Sequence, residues 1–197
     1  MADTLPLPHV RFSAKDYGRL VGTGLLPDRT ELIDGELLTM AAQGIAHVEC
    51  VRIISRVLEQ FETHDVGVYA QATASLSDDY APDPDLYVTR LPLRSKDGLP
   101  APDILLAIEV SDSTWARDYN IKRLRYAAAD IPEYWIVNLR LRQLVVCTAP
   151  ENGTYGCEQT LNEGDVVEPT AFRASEIQVR ALLPPAHLPL PETDEVG

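Results

Sequence analysis

Apolar residues along this chain recur with two different periods. From Ala46 to His64, Val48, Val51, Ile54, Val57, Leu58 and Phe61 return at three- and four-residue steps, which predicts an amphipathic helix. Asp103 to Ser111 (DILLAIEVS) is almost continuously apolar and too short for a typical helix, so it predicts a central strand buried on both faces. Glu133 to Asn138 (EYWIVN) predicts a second such strand. Between them, Asp112-Ser113-Thr114 can cap a helix from about Trp115 to Ala129, which Pro132 would stop. A buried strand, a helix and another buried strand predict one parallel crossover.

Around this unit the signals are shorter. Ser13 to Leu20 reads as a helix capped by Ser13, with Asp16 in its first turn. Thr30 to Met40 reads as a hairpin turning at Asp34-Gly35, and residues 143–148 and 155–161 as a second turning at Asn152-Gly153. Val66 to Leu76 reads as a strand with a bend, Asp85 to Thr89 as a short strand, and Leu91 to Pro102 as a loop. The fold class predicted is α/β (α+β): a mixed sheet flanked by helices, with an N-terminal and a C-terminal hairpin. The expected organisation is a lead-in over 1–11, a single domain over 12–183, and a mobile proline-rich acidic tail over 184–197.

Composition narrows the function classes. With 197 residues and 45% apolar content, the chain suits one domain that folds without disulfides. No apolar run is long enough for a membrane span, and Met1 to Val10 lacks the pattern of a secretory signal, so a soluble cytoplasmic protein is expected. Cys50, Cys147 and Cys157 are odd in number and read as reduced thiols. Cys147 and Cys157 could face each other across a hairpin, but the other ligands of a zinc site are not in view. A formal net charge of −13 argues against coating nucleic acid by bulk electrostatics, yet it leaves room for a local site.

The candidate chemistry begins with an anomaly. Glu109 sits inside the apolar ILLAIEVS run, and a buried carboxylate needs a partner. Either a Lys or Arg pairs with it or backbone groups hydrogen-bond it, or it is a metal ligand at the end of a strand. Asp85, after Pro84, starts another short strand and is either a turn residue or a second ligand on the same side of the sheet. Magnesium keeps several waters, so two carboxylates and the backbone carbonyl of Val110 would suffice. Asp118, Lys122 and Tyr126 are four residues apart and share a helix face. Lys122 is then either half of a surface pair with Asp118, or a lysine leaning over the sheet edge toward the metal.

At these residues the sequence resembles the Uma-two family, a large bacterial group long labelled a domain of unknown function. The likeness is carried by Pro84-Asp85, Glu109-Val110-Ser111, Asp118, Lys122, Tyr126, the run Ile131 to Val137 (IPEYWIV), the earlier run Glu31 to Leu37 (ELIDGEL) and His47. It spans about Phe12 to Leu183. The resemblance implies the restriction-endonuclease-like fold of the PD-(D/E)XK nuclease superfamily, with Asp85 and Glu109 as metal ligands and Lys122 as the superfamily's lysine. That lysine usually stands two residues after the acid. Here Ser111 holds the position, so the lysine has moved to the helix. Glu36 and His47 are expected to line the same cleft, beside Asp118 and Tyr126.

The function expected is a Mg2+- or Mn2+-dependent DNA endonuclease that hydrolyses phosphodiester bonds, acting as a homodimer. The alternatives are a non-catalytic nucleic-acid- or protein-binding module that keeps the fold, and a structural dimer whose acids are merely paired. A backbone-gripping module would show a basic stripe from Arg52, Arg56, Arg117, Arg123 and Arg125. A Ser or Cys hydrolase is disfavoured by the lack of a GxSxG elbow, and no Walker-type or GxGxxG loop is present.

Overall fold

A computed structural model describes residues 10–27, 29–40, 42–95, 98–172 and 174–191. The first helix, α1 (Ala14–Thr23), opens with a capping box between Ser13 and Asp16 and ends at Gly24, whose φ of 68° favours glycine. The hairpin β1 (Thr30–Ile33) and β2 (Glu36–Thr39) turns at Asp34 and Gly35, both at positive φ, as a two-residue hairpin requires. Helix α2 (Ile45–Glu59) then leads to β3 (Val66–Ala70) and the two-residue β4 (Ala74–Ser75). The bend expected in that region is a break, with Gln71 at φ 52°. Strand β5 (Leu86–Arg90) follows. The stretch expected to be a loop holds β6 (Leu99–Pro100) and a short 3-10 turn before β7 (Ile104–Ser111).

After β7 the chain is helical from Trp115 to Ala128, as expected, but not uniformly. A first turn, α3 (Trp115–Arg117), passes into a π-helical segment over Asp118–Lys122 and then into α4 (Arg123–Ala128). Strand β8 (Glu133–Asn138) and the hairpin β9 (Gln143–Glu151) and β10 (Thr154–Asn162) complete the main sheet. The small pair β11 (Val166–Val167) and β12 (Ile177–Gln178) carried no readable signal in the sequence.

The main sheet has six strands in the order β10-β9-β8-β7-β5-β3. As predicted, β7 is interior; it runs antiparallel to β5 and parallel to β8. Alternate residues of β7 feed two cores. Leu106, Ile108 and Val110 pack with Cys50, Ile54 and Leu58 of α2, and with Trp135 and Val137 of β8. Ala107 faces the other way, toward Tyr126 and Ala127 of α4 and Tyr134 and Ile136 of β8. Each large apolar side chain so buried stabilises the fold by about 1.5–3 kcal/mol. A third cluster joins Tyr17 of α1, Leu32 of β1 and Ala81, and a backbone bridge between Leu32 and Ala81 fixes the N-terminal hairpin against the segment that leads into β5.

Two expectations change. Cys147 pairs in register with Glu158 rather than Cys157; Cys147 is buried, Cys157 is exposed, and all three cysteines are free thiols. The described start of the tail is not loose: Leu188 and Leu190 pack on the α2 side of the core, and Arg140 donates to the Pro191 carbonyl. Residues 1–9 of the lead-in and 192–197 of the tail lie outside the described residues.

Candidate active site

The α4 face of the sheet turns polar at the C-terminal end of β7. Tyr87 stands opposite Ala107 in the β5–β7 register, so Asp85 and Glu109, each two residues further along, fall on the same face. Both are buried, at 6% and 5% exposure, and both line one cleft with Lys122. The three residues that sequence reasoning singled out therefore converge.

Asp85 has three polar neighbours. The Val110 backbone N–H donates to its Oδ2 at 2.8 Å, Gln43 Nε2 donates to its Oδ1 at 3.0 Å, and His47 Nε2 lies 2.9 Å from the same oxygen. Val110 thus meets the cleft through its backbone while its side chain joins the α2 core. Helix α2 supplies His47 from its first turn, and Gln43 stands just ahead of that helix.

Glu109 gathers its donors on one oxygen. Lys122 Nζ reaches Oε1 at 2.8 Å and the Tyr126 hydroxyl donates to it at 3.1 Å. Lys122, 1% exposed, also donates to Glu31 Oε1 at 3.1 Å. The surface pair between Asp118 and Lys122 is therefore not what forms; both are buried and Lys122 turns to other acids. The π-helical segment closes with the Arg123 N–H on the Asp118 carbonyl, five residues back. That wider turn sits where both Asp118 and Lys122 face inward, a location such segments favour. Asp118 lines the cleft and accepts from the Thr114 hydroxyl. Tyr126, expected to line the cleft, is fully buried and not among its lining residues; it touches Glu109 from behind.

Glu36, expected in the cleft, is exposed on β2 and is not among its lining residues. The reason is the orientation of the hairpin. Strand β1 is the inner one, tied to Ala81, and β2 is the outer. The inward acid of the hairpin is Glu31, 2% exposed, whose Oε1 also accepts the Asp83 N–H at 3.1 Å. Sequence reasoning passed over Glu31 as a site residue although it opens the ELIDGEL run. The missing signal was which strand of the hairpin faces the sheet. Gln43 carried no signal at all.

Electrostatics favour a cation here. Glu31, Asp83, Asp85, Glu109, Asp112 and Asp118 line the cleft against Arg29, Arg117 and Lys122. Burial pushes the Glu109 carboxyl well above the usual carboxylate range; Lys122 pulls it down, while Asp118, Asp85 and Glu31 push it up further. Burial also raises Asp118 and Asp83. For Lys122 burial alone would favour the neutral amine, but Glu109, Glu31 and Asp118 outweigh it and hold the ammonium protonated. Carboxylate oxygens are hard ligands, and a surplus of them around one ammonium suits a divalent ion that keeps most of its waters. Among the described residues no group of three His, Cys, Asp or Glu side chains is placed to hold a metal ion, so any fit rests on two carboxylates and backbone. Asp85, Glu109 and the Val110 backbone fit that donor set.

Ser111 occupies the position two residues after Glu109. It is buried, with its Oγ unpartnered among the described residues. The ammonium beside Glu109 comes instead from the helix. Of the arginines a backbone-gripping module would use, Arg52 pairs with Glu49, Arg123 with Glu158 and Arg125 with Asp34, while Arg117 lies 4.0 Å from Asp118.

Comparison with known proteins bears on the fold and the family. No curated protein matches the chain. Among solved structures, one described as "a putative nuclease belonging to DUF820" from Anabaena variabilis ATCC 29413 superposes with a TM-score of 0.68 at 13% sequence identity, covering 87% of this chain and 97% of that one. At that identity the likeness shows a shared fold, the mixed sheet flanked by helices. The family model Uma2, described as "Putative restriction endonuclease", matches residues 24–181, and the chain belongs to that family.

Proposed function

We propose that this protein is a divalent-cation-dependent endonuclease that hydrolyses phosphodiester bonds in DNA. The observation that carries the reading is the convergence of Asp85, Glu109 and Lys122 on one cleft. Asp85 and Glu109, with the Val110 carbonyl, would hold Mg2+ or Mn2+, which when bound supplies Lewis acidity and lowers the pKa of bound water. The chain's own residues do the rest. The Val110 N–H, Gln43 and His47 fix the Asp85 carboxylate. Tyr126 fixes Glu109. The Lys122 ammonium offsets negative charge developing on the phosphate or orients the attacking water. Because the cleft is acidic, phosphate enters only once its charge is offset, so binding of DNA and of cation should be coupled.

A cytoplasmic homodimer fits this activity, since a two-fold pair of such sites would address both strands of a duplex. No helix among the described residues is long and apolar enough to cross a membrane.

A plasmid-nicking assay with Mg2+ or Mn2+, run beside a calorimetric metal titration, tests the reading. Asp85→Ala and Glu109→Ala should each lose both metal and cleavage. Lys122→Ala should lose cleavage and keep metal. A wild-type protein that binds metal at this site but nicks none of the nucleic acids tried would reduce the protein to a binding role. Light scattering at micromolar concentration checks the dimer, and a monomer would refute it.

A further inference from the structure

Lys122 is held by two carboxylates from unrelated parts of the chain, and only one of them, Glu109, is among the residues proposed to hold the cation. Glu109 Oε1 lies 2.8 Å from Nζ on the sheet side, and Glu31 Oε1 lies 3.1 Å away on the hairpin side. Glu31 is itself fixed. The Asp83 N–H donates to the same Oε1, and the Leu32–Ala81 bridge anchors β1 one residue further on. Its second oxygen, Oε2, is buried with no hydrogen-bond partner among the described residues. An orphaned carboxylate oxygen in such a place costs free energy, and its retention calls for a reason.

We infer that Glu31 is a positioning residue for Lys122. It holds the ammonium over the active face independently of Glu109, so that Glu109 can turn to a cation without Lys122 leaving the cleft. The ammonium has three N–H donors, and two are accounted for by Glu109 and Glu31. When Glu109 is withdrawn, the donor it releases needs an acceptor, and Glu31 Oε2 is the unoccupied one on a side chain already in contact. The N-terminal hairpin would then be a working part of the active site rather than a cover. What Lys122 does for the reaction rests on the nuclease reading above; that Glu31 holds it does not.

The test needs neither metal nor turnover. In protein with 15N-labelled lysine side chains, a buried paired ammonium exchanges its protons slowly enough to give a side-chain NMR signal. The Lys122 signal is identified by its loss in Lys122→Met. Glu109→Gln should keep that signal, because Glu31 still supplies the anion, and the double variant Glu31→Gln/Glu109→Gln should lose it. With saturating Mg2+, wild type should keep the signal and Glu31→Gln should lose it. Loss of the signal in Glu109→Gln with Glu31 intact would overturn the inference, as would its survival in the double variant. Should the double variant fail to fold by circular dichroism, Glu31→Asp/Glu109→Gln takes its place: the shorter acid, drawn back from Nζ, should broaden the signal, and an unchanged signal would refute the claim. In the nicking assay Glu31→Gln should lower kcat at least tenfold with KM for DNA little changed. A wild type that cuts nothing would sink the nuclease reading, while the ammonium signals would still decide whether Glu31 holds Lys122.

Discussion

Strand β7 presents two faces that the same eight residues build by alternation, and they differ in kind. Toward α2 it offers Leu106, Ile108 and Val110 to a core made mostly of aliphatic side chains, with Trp135 and Phe172. Toward α4 it offers Ala107 and then Glu109, to a layer rich in tyrosine and ending in Lys122. The first face needs only shape and apolar area. The second carries buried charge at a cost in stability: Glu109, Lys122, Glu31 and Asp118 are all 5% exposed or less. The attraction within a buried ion pair rarely exceeds its desolvation penalty, so a cluster with surplus acid is retained for what it does. The α2 face supplies the stability that offsets the α4 face.

The largest effect that would separate the faces is removal of the one buried cation described in the cleft's floor. Lys122→Met leaves Glu109 and Glu31 facing each other without compensation, which should destabilise the metal-free protein by about 3–5 kcal/mol. Mg2+ should restore part of that loss by replacing the missing charge. Urea unfolding with and without Mg2+ measures both, and a loss that Mg2+ leaves unchanged would break the link between the acid surplus and a cation. On the opposite face, Ile108→Ala should cost about 2–5 kcal/mol as a cavity in a packed core. Its metal affinity should stay at the wild-type value, and its stability should rise with Mg2+ as the wild type's does.

How much of this was legible in the sequence follows the same division. The α2 face announced itself, because a helix of period 3.6 and a continuous apolar run are read from residue types alone. Glu109 announced itself as an exception to such a run. Asp85 and Lys122 could be nominated by order along the chain and by the resemblance those residues carry. Glu31 could not, because its place depends on which strand of a detached hairpin lies against Ala81, and that is a tertiary choice with no local code. Gln43 precedes a helix whose orientation alone brings it to Asp85. The π-helical turn at Asp118–Lys122 was equally silent; a four-residue spacing in the sequence does not say which hydrogen-bond step the backbone takes.

The two faces should also answer pH differently. Burial raises Glu109 above its ordinary range, and it raises Asp118 and Asp83 as well. A group raised in the folded state binds its proton more tightly there than in the unfolded chain. Its contribution to stability is full below the ordinary carboxylate range and is lost as pH climbs through the raised value. Without divalent ions, the stability of wild type relative to Glu109→Gln should therefore fall as pH rises from about 4.5 toward neutrality. Metal binding requires the ionised form, so affinity should weaken as pH drops, and binding should release protons. Calorimetry in buffers of different ionisation enthalpy counts them; a release of zero near pH 6 would mean that Glu109 is already ionised and that the surplus of acid is relieved elsewhere. Substitutions on the α2 face should leave this pH dependence in place.

The smallest effect expected is at Glu36, and it sharpens the comparison because the sequence placed this residue in the cleft. Glu36 and Glu31 sit five residues apart in one hairpin, and both are acids in the ELIDGEL run. Glu36 pairs with Ile33 next to the turn, on the outer strand and in solvent; Glu31 lies on the inner strand, sealed against Lys122. A surface substitution away from any special feature changes stability by no more than about 0.5 kcal/mol. Glu36→Ala should therefore unfold in urea as wild type does, bind Mg2+ with unchanged affinity and keep whatever nicking activity the wild type has. Glu31→Ala, made in the same hairpin, should lose stability and turnover together. If Glu36→Ala instead weakens metal binding or cleavage, the hairpin must turn its outer strand toward the cleft in the working protein, and the assignment of Glu31 as its inward acid would have to be given up.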